Sequence, residues 1–229
     1  MHDYFNAIPE GGIVPNFAHG TSGIVYILTK YYEASKDEKY LALAKKGFNF
    51  LKSIAVNEDD ASIIPYIYYE DSDKKFDVYY LSLCHGPVGT GVVVKELYKV
   101  TGEEEYKEYF VRLSNALVKA EVASKHSSGY WNDCVCCGSS GVLLHFIEGY
   151  KFTGDNKYQQ YAKKIANKLI GDAFKDNRGT RWYNAWTRVI PWNVDSHLGL
   201  YIGAAGSASA LLSLYAAIKG VEVTSIYEF

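Results

Sequence analysis

The sequence predicts an all-α chain arranged as a partial α/α toroid, about half a ring, with four inner and three outer helices. Three observations predict it. A Gly-x-x-Gly motif recurs four times, its first glycine at Gly20, Gly86, Gly138 and Gly203, with spacings of 66, 52 and 65 residues. Each motif opens a stretch that is apolar nearly all round, as expected of a helix buried on all sides. The first three of these are each followed by an amphipathic stretch with a single apolar stripe, as expected of a helix with one face in water. Buried inner helices alternating with half-exposed outer ones describe a toroid whose glycine motifs gather at one end of the inner ring.

Taken in order, residues 1–16 contain Pro9, Gly11, Gly12 and Pro15 and read as an irregular lead-in. Phe17-Ala18-His19-Gly20-Thr21-Ser22-Gly23-Ile24 opens a helix to about Ala34. A second helix spans 37–54, with Tyr40, Leu41, Ala44, Phe48, Leu51 and Ile54 on one stripe. Residues 63–78, with Tyr66, Tyr68 and Tyr69, form a connection with room for a short hairpin. Cys84-His85-Gly86 opens the next inner helix, to about Val100, and an outer helix follows from Glu103 to about Val122. Its stripe is Tyr106, Tyr109, Phe110, Leu113 and Leu117. Cys136-Cys137-Gly138 opens the third inner helix, to about Phe152, and Tyr158, Tyr161, Ala162, Ile165 and Leu169 line the outer helix over 155–170. Tyr201-Ile202-Gly203 opens the fourth. The joints also repeat: Ser35-Lys36-Asp37, Thr101-Gly102-Glu103 and Thr153-Gly154-Asp155, each with a tyrosine three residues after the acid. An acid in a first helical turn favours the positive end of the helix dipole.

Residues 172–200 do not repeat. They carry Trp182, Tyr183, Trp186, Arg188, Pro191, Trp192, Asp195 and His197. Two readings stand side by side: a surface loop packed by its own aromatics, or a rim that grips an extended peptide. Four inner and three outer helices make half a closed ring, so the flanks of the open half should be apolar. They suggest a homodimer or a complementary half-ring.

The chain has 229 residues, is 48% hydrophobic and 22% charged, and carries a net charge of −2. It can bury a substantial core and is read as one domain over 1–229. Nothing in the charge favours nucleic acid or an anionic membrane. No run of 18 apolar residues occurs, and residues 1–15 lack the basic-then-apolar pattern of a signal peptide. A reducing, cytoplasmic setting is the expectation, and there clustered cysteines point to metal binding or chemistry rather than to disulfides.

All four cysteines lie near two motifs: Cys84 in the second, and Cys134, Cys136 and Cys137 around the third. Aligning the repeats places Cys84 and Cys136 two residues before their first glycine, and Cys137 one residue before it. Three thiolates with one open position match a catalytic zinc site, with buried structural thiols as the plainer reading. Cys134 is the spare: a nearby thiol, or a fourth ligand closing a structural site. His19 and His85 share the position just before a first glycine. Either is placed to act as a general acid or base, although a lone histidine at a helix start is often structural. His126 and His145 have no such context and are given no role. Asp133 is the only acid close to any motif, which argues against a toroidal glycosidase needing a carboxylate pair.

The ordered set Ala-His-Gly-x-x-Gly, Cys-His-Gly-x-x-Gly, Cys-Cys-Gly-x-x-Gly and a final Gly-x-x-Gly helix, over about 17–217, resembles the C-terminal half of a lanthionine synthetase C-like cyclase. The resemblance implies zinc on Cys84, Cys136 and Cys137, similar to the variant group with three cysteine ligands, and an active-site histidine at His19. It departs from the family at Leu83, where a tryptophan usually stands, and at Tyr80, where an arginine is common. The N-terminal half of the family's ring, with an aspartate thought to assist catalysis, has no counterpart here. The implied activity closes thioether rings in lanthipeptides. A cysteine of a dehydrated precursor peptide takes the fourth zinc position, loses its proton and attacks a dehydroalanine or dehydrobutyrine, and the enolate is then protonated. The resemblance also implies a separate dehydratase. The same chemistry fits the addition of a small thiol such as glutathione to dehydroamino acids. A non-catalytic, zinc-stabilised module that binds a peptide or partner is the reading from another class.

Overall fold

The structure is a computed structural model that describes residues 11–71, 78–125, 132–186 and 190–223. His126, Arg188 and the first ten residues lie outside them. By contact the chain divides into two compact units, Met1–Tyr80 with Cys84–Ala116, and Leu81–Leu83 with Leu117–Phe229.

The first unit contains β1 (Gly12–Ile13), α1 (Thr21–Ser35), α2 (Glu38–Ile54), β2 (Val56–Glu58), β3 (Ala61–Ile63), β4 (Tyr68–Tyr69), α3 (Pro87–Thr101) and most of α4 (Glu104–Lys119). Helix α1 packs against α2 and α3. Glycine at position 47 permits the close crossing with α2, because a methyl group there would stand 2.6 Å from Cγ2 of Val25. The predicted stripes face inward: Leu41, Ala44, Phe48 and Leu51 of α2 are buried, as are Tyr106, Tyr109, Phe110, Leu113 and Leu117 of α4. Phe48 seats between Tyr106 and Tyr109, with ring centroids 5.1 and 5.3 Å away. Each such side chain contributes about 1.5–3 kcal/mol by leaving water.

The second unit contains α5 (Ser139–Thr153), α6 (Asn156–Asp172), β5 (Phe174–Asp176), β6 (Gly179–Arg181), β7 (Asn184–Trp186), β8 (Ile190–Asp195) and α7 (Ala204–Lys219). Helix α5 packs against α6 and α7, and α6 also touches α7. The joints between paired helices share one chemistry in both units. The hydroxyls of Ser35, Thr101 and Thr153 each accept the N–H of the following acid at 3.2 Å. Asp37 and Asp155 then cap α2 and α6 by accepting the N–H of Lys39 and Lys157 at 3.0 and 2.9 Å.

One expectation needs correction. Burial on all sides holds for α3 and α5 but not for α1 and α7. Helix α1 exposes Ile24, Ile27 and Tyr31, and α7 exposes Leu212, Tyr215 and Ile218, because among the described residues helices pack on only part of each circumference. Residues 172–200, read as a surface loop packed by its own aromatics or as a rim, hold two antiparallel hairpins, β5–β6 and β7–β8. Of the segment 63–78, read as having room for a short hairpin, residues 72–77 lie outside the described residues; a hairpin stands just before it, β2–β3, and Tyr68 and Tyr69 pair with Ile13 and Gly12 of the lead-in. No helix among the described residues is long and apolar enough to cross a membrane.

Candidate metal centre

The Gly-x-x-Gly motif has a steric reason. Helices α1, α5 and α7 begin without a side-chain cap. Their first N–H groups are met instead by carbonyls of the loop just upstream: Ser22 by Pro15 at 2.9 Å, Ser139 by Asn132 at 3.4 Å, Ser140 by Asp133 at 3.3 Å, Ala204 by His197 at 2.9 Å and Ala205 by Leu198 at 3.3 Å. To bring those carbonyls in, the loop folds back over the helix start. A methyl group on either glycine would then strike the carbonyl oxygen six residues earlier. The clash distance is 1.5 Å for Gly20 with Val14, 2.2 Å for Gly23 with Phe17, 2.3 Å for Gly138 with Asn132 and 2.2 Å for Gly141 with Val135. It is 2.3 Å for Gly203 with His197 and 1.9 Å for Gly206 with Leu200. The residues one and two positions before the first glycine, where the cysteines and histidines stand, belong to this folded-back turn.

Within each unit two such turns are joined at equivalent positions. Ala18 donates its N–H to the carbonyl of Cys84 at 3.0 Å, and Cys136 donates to the carbonyl of Tyr201 at 2.8 Å. The first link brings His19 beside His85, with ring centroids 5.0 Å apart and planes 25° from parallel. His19 is exposed and His85 half-buried. Tyr66 meets the His85 ring edge-on at 4.7 Å, Tyr80 lies 5.8 Å from it, and the two tyrosines contact each other at 4.9 Å. Burial holds the His85 imidazole below its ordinary pKa; the Cys84 thiol opposes this and His19 adds to it. Sequence reasoning placed Tyr66 in a connection and Tyr80 at a departure. Neither position carries a local signal of contact with His85.

Cys84 and Cys137 are buried and Cys136 is partly exposed. The sulfurs of Cys84, Cys136 and Cys137 all lie within 4.8 Å of one another, and those of Cys136 and Cys137 are 3.5 Å apart. Thiolates on a tetrahedral zinc, with bonds of about 2.3 Å, stand about 3.8 Å from each other. The donor set and its spacing therefore suit a soft metal ion. Cys134 is not in this cluster. It is fully buried and its sulfur accepts the N–H of Cys137 at 3.4 Å. His145 is a buried side chain of α5 stacked edge-on against Phe146.

The cysteine turn is anchored from several sides. Asn132 accepts the Cys134 N–H at 2.9 Å through its side chain. The Asp133 carbonyl accepts from the hydroxyls of Ser140 and Ser207, and its buried carboxylate faces Lys168 at 3.3 Å. Asn184, which sequence reasoning did not single out, bonds to both Asp133 and Ile202. In the aromatic-rich segment Trp182 is an anchor, buried and donating its indole N–H to the Leu169 carbonyl at 2.7 Å, whereas Trp192 and Leu198 are 80% and 84% exposed.

The fold and sequence have relatives. Nisin cyclase superposes with a TM-score of 0.67 at 12% identity, over 89% of this chain and 46% of that one. A sugar epimerase from a ruminal bacterium superposes with a TM-score of 0.60 at 15% identity, over 89% of this chain and 54% of that one. At such identities the likeness shows the fold alone, a partial α/α toroid, which carries more than one chemistry. The lacticin 481/lactococcin biosynthesis protein LcnDR2 of Lactococcus lactis subsp. lactis is 25% identical over 157 residues, covering 67% of this chain and 16% of that protein. The chain thus spans about half the length of these solved structures and less of the curated relative. The family model described as lanthionine synthetase C-like protein matches residues 9–224. The chain belongs to the lanthionine synthetase C-like family.

Proposed function

We propose that this chain is a zinc-dependent, thioether-forming cyclase. It would add a cysteine thiol of a dehydrated precursor peptide to a dehydroalanine or dehydrobutyrine of the same peptide. The observation that carries the proposal is the trio of thiols from Cys84, Cys136 and Cys137 within 4.8 Å, in a member of this family. Zinc, when bound there, would supply a deprotonated substrate thiol at neutral pH.

The chain's own residues supply the rest. Three cysteine thiolates are a more electron-rich donor set than one containing histidine, which favours a nucleophilic substrate sulfur. Sulfur joins the β-carbon, the double-bond electrons move to the α-carbon, and that carbon takes a proton, so the product is an isomer of the substrate. His19 is the proposed proton donor, because it is the exposed member of the stacked pair. His85 backs it, held by Tyr66 and Tyr80. Trp192 and Leu198 offer apolar contacts to an extended peptide.

The test is a synthetic peptide with one dehydroalanine and one cysteine, incubated with zinc-loaded protein and reduced glutathione. The proposal expects the alkylatable thiol to disappear while peptide mass stays constant, and a strong chelator to stop the reaction. A mass gain equal to glutathione would instead assign the small-thiol reaction. Thiol loss at the protein-free rate would reject both.

A further inference from the structure

We propose that Asn184 is a positioning residue for the cysteine pair: its side-chain amide locks the backbone of Asp133 to that of Ile202 and so fixes where Cys136 and Cys137 present their sulfurs. The inference rests on the reading of these thiols as metal ligands. Asn184 opens β7, in the segment 172–200 that does not repeat, and is 3% exposed. Its Oδ1 accepts the N–H of Asp133 at 3.2 Å and its Nδ2 donates to the carbonyl of Ile202 at 3.2 Å. These two backbones lead into α5 and α7, and the Cys136 N–H to Tyr201 carbonyl bond of 2.8 Å lies between the same two turns.

The chemistry of the amide suits this task. Asparagine carries an acceptor and a donor in one rigid plane, so a single side chain can accept from one strand of backbone and donate to another. Aspartate can only accept, and would set a charge against the Ile202 carbonyl. Leucine has the size and neither function. The Asp133 peptide is gripped on its other side as well, its carbonyl accepting from the hydroxyls of Ser140 and Ser207, which are 3.0 Å apart. With N–H and C=O both fixed, the four residues from Asp133 to Cys136 have little freedom to move the first sulfur. The sequence placed these two cysteines beside each other; the position of the turn that carries them is set from β7 and α7. Partners that orient ligands typically alter metal affinity by about 10–100-fold when removed.

Zinc affinity would be measured on the full chain by competition with a chromophoric chelator, for wild type, Asn184→Asp, Asn184→Leu and Ser207→Ala. Trp182→Phe serves as a control, since the hydrogen bond it removes ties the same segment to Leu169 of α6 and not to Asp133 or Ile202. Cobalt substitution would report ligand geometry through the thiolate charge-transfer bands. The expected result is zinc affinity about 10–100-fold weaker in both Asn184 variants, with altered cobalt bands. Ser207→Ala should move the same way by less. Trp182→Phe should melt earlier yet bind zinc as wild type. Asn184 variants that bind zinc like wild type overturn the inference, as does a Trp182→Phe variant that loses affinity equally. Should one Asn184 variant fail to fold, the other and Ser207→Ala decide. A wild type that binds no zinc rejects the metal reading itself. The inference is then judged on iodoacetamide labelling of Cys136 in the metal-free chain, which Asn184→Asp must accelerate and which, if unchanged, overturns it.

Discussion

Alanine at Gly20 or Gly206 is expected to destabilise the protein by about 3 kcal/mol or more, lowering its melting temperature by about 6–12 °C. The added methyl would sit 1.5 Å from the Val14 carbonyl oxygen in the first case and 1.9 Å from that of Leu200 in the second. Neither obstacle is a flexible side chain. Each carbonyl belongs to a turn whose oxygens already serve the start of a helix, so relieving the clash means opening that turn and abandoning those bonds. Gly171, in α6, supplies the contrast. A methyl there meets nothing within 4 Å, and alanine should be neutral or stabilise by up to about 1 kcal/mol. Thermal unfolding of the three variants decides the matter. Wild-type stability in Gly206→Ala would contradict the account of the motif as a close approach between loop and helix.

Replacing His19 by asparagine is expected to slow thiol addition by about 10²–10⁴-fold while leaving metal content at the wild-type level. His19 precedes Gly20 and lies on the turn whose Ala18 N–H is bonded to the Cys84 carbonyl. It therefore stands beside a proposed ligand without being part of the thiol cluster. Its ring is exposed, as the proposed proton donor requires, whereas His85 is enclosed by His19, Tyr66 and Tyr80. His85→Asn is expected to cost less than His19→Asn, through loss of that packing. Turnover of the test peptide, measured alongside zinc content, separates the two histidines. An undiminished rate in His19→Asn would remove it as the proton donor.

Most of the architecture is legible in the sequence because it is local and periodic. The stripes of α2, α4 and α6 recur at helical spacing, and the joints at Ser35, Thr101 and Thr153 use the same side-chain contact each time. The repeat also aligns Cys84 with Cys136 two residues before a glycine, which is why residues far apart in sequence could be selected together. What it hides is non-local or too short to show a period. Strands β1 and β4 have two residues each and pair Gly12 with Tyr69 and Ile13 with Tyr68, far apart in sequence. The β7–β8 hairpin contains a register shift at Ala185 and Trp186, which blurs any alternation. Tyr66, Tyr80 and Asn184 act through contacts that no spacing rule announces. The exposure of Ile27 and Leu212 depends on what packs against α1 and α7, not on the helices' own composition.

The most direct test of the account is the zinc content of the purified chain, wild type beside Cys84→Ala, Cys136→Ala and Cys137→Ala, each checked for helical content. The account predicts about one zinc per wild-type chain and a large loss in all three variants, with Cys134→Ala retaining its metal. A folded wild type that takes up no zinc, or cysteine variants that keep it, would contradict the three-thiolate centre and with it the proposed chemistry.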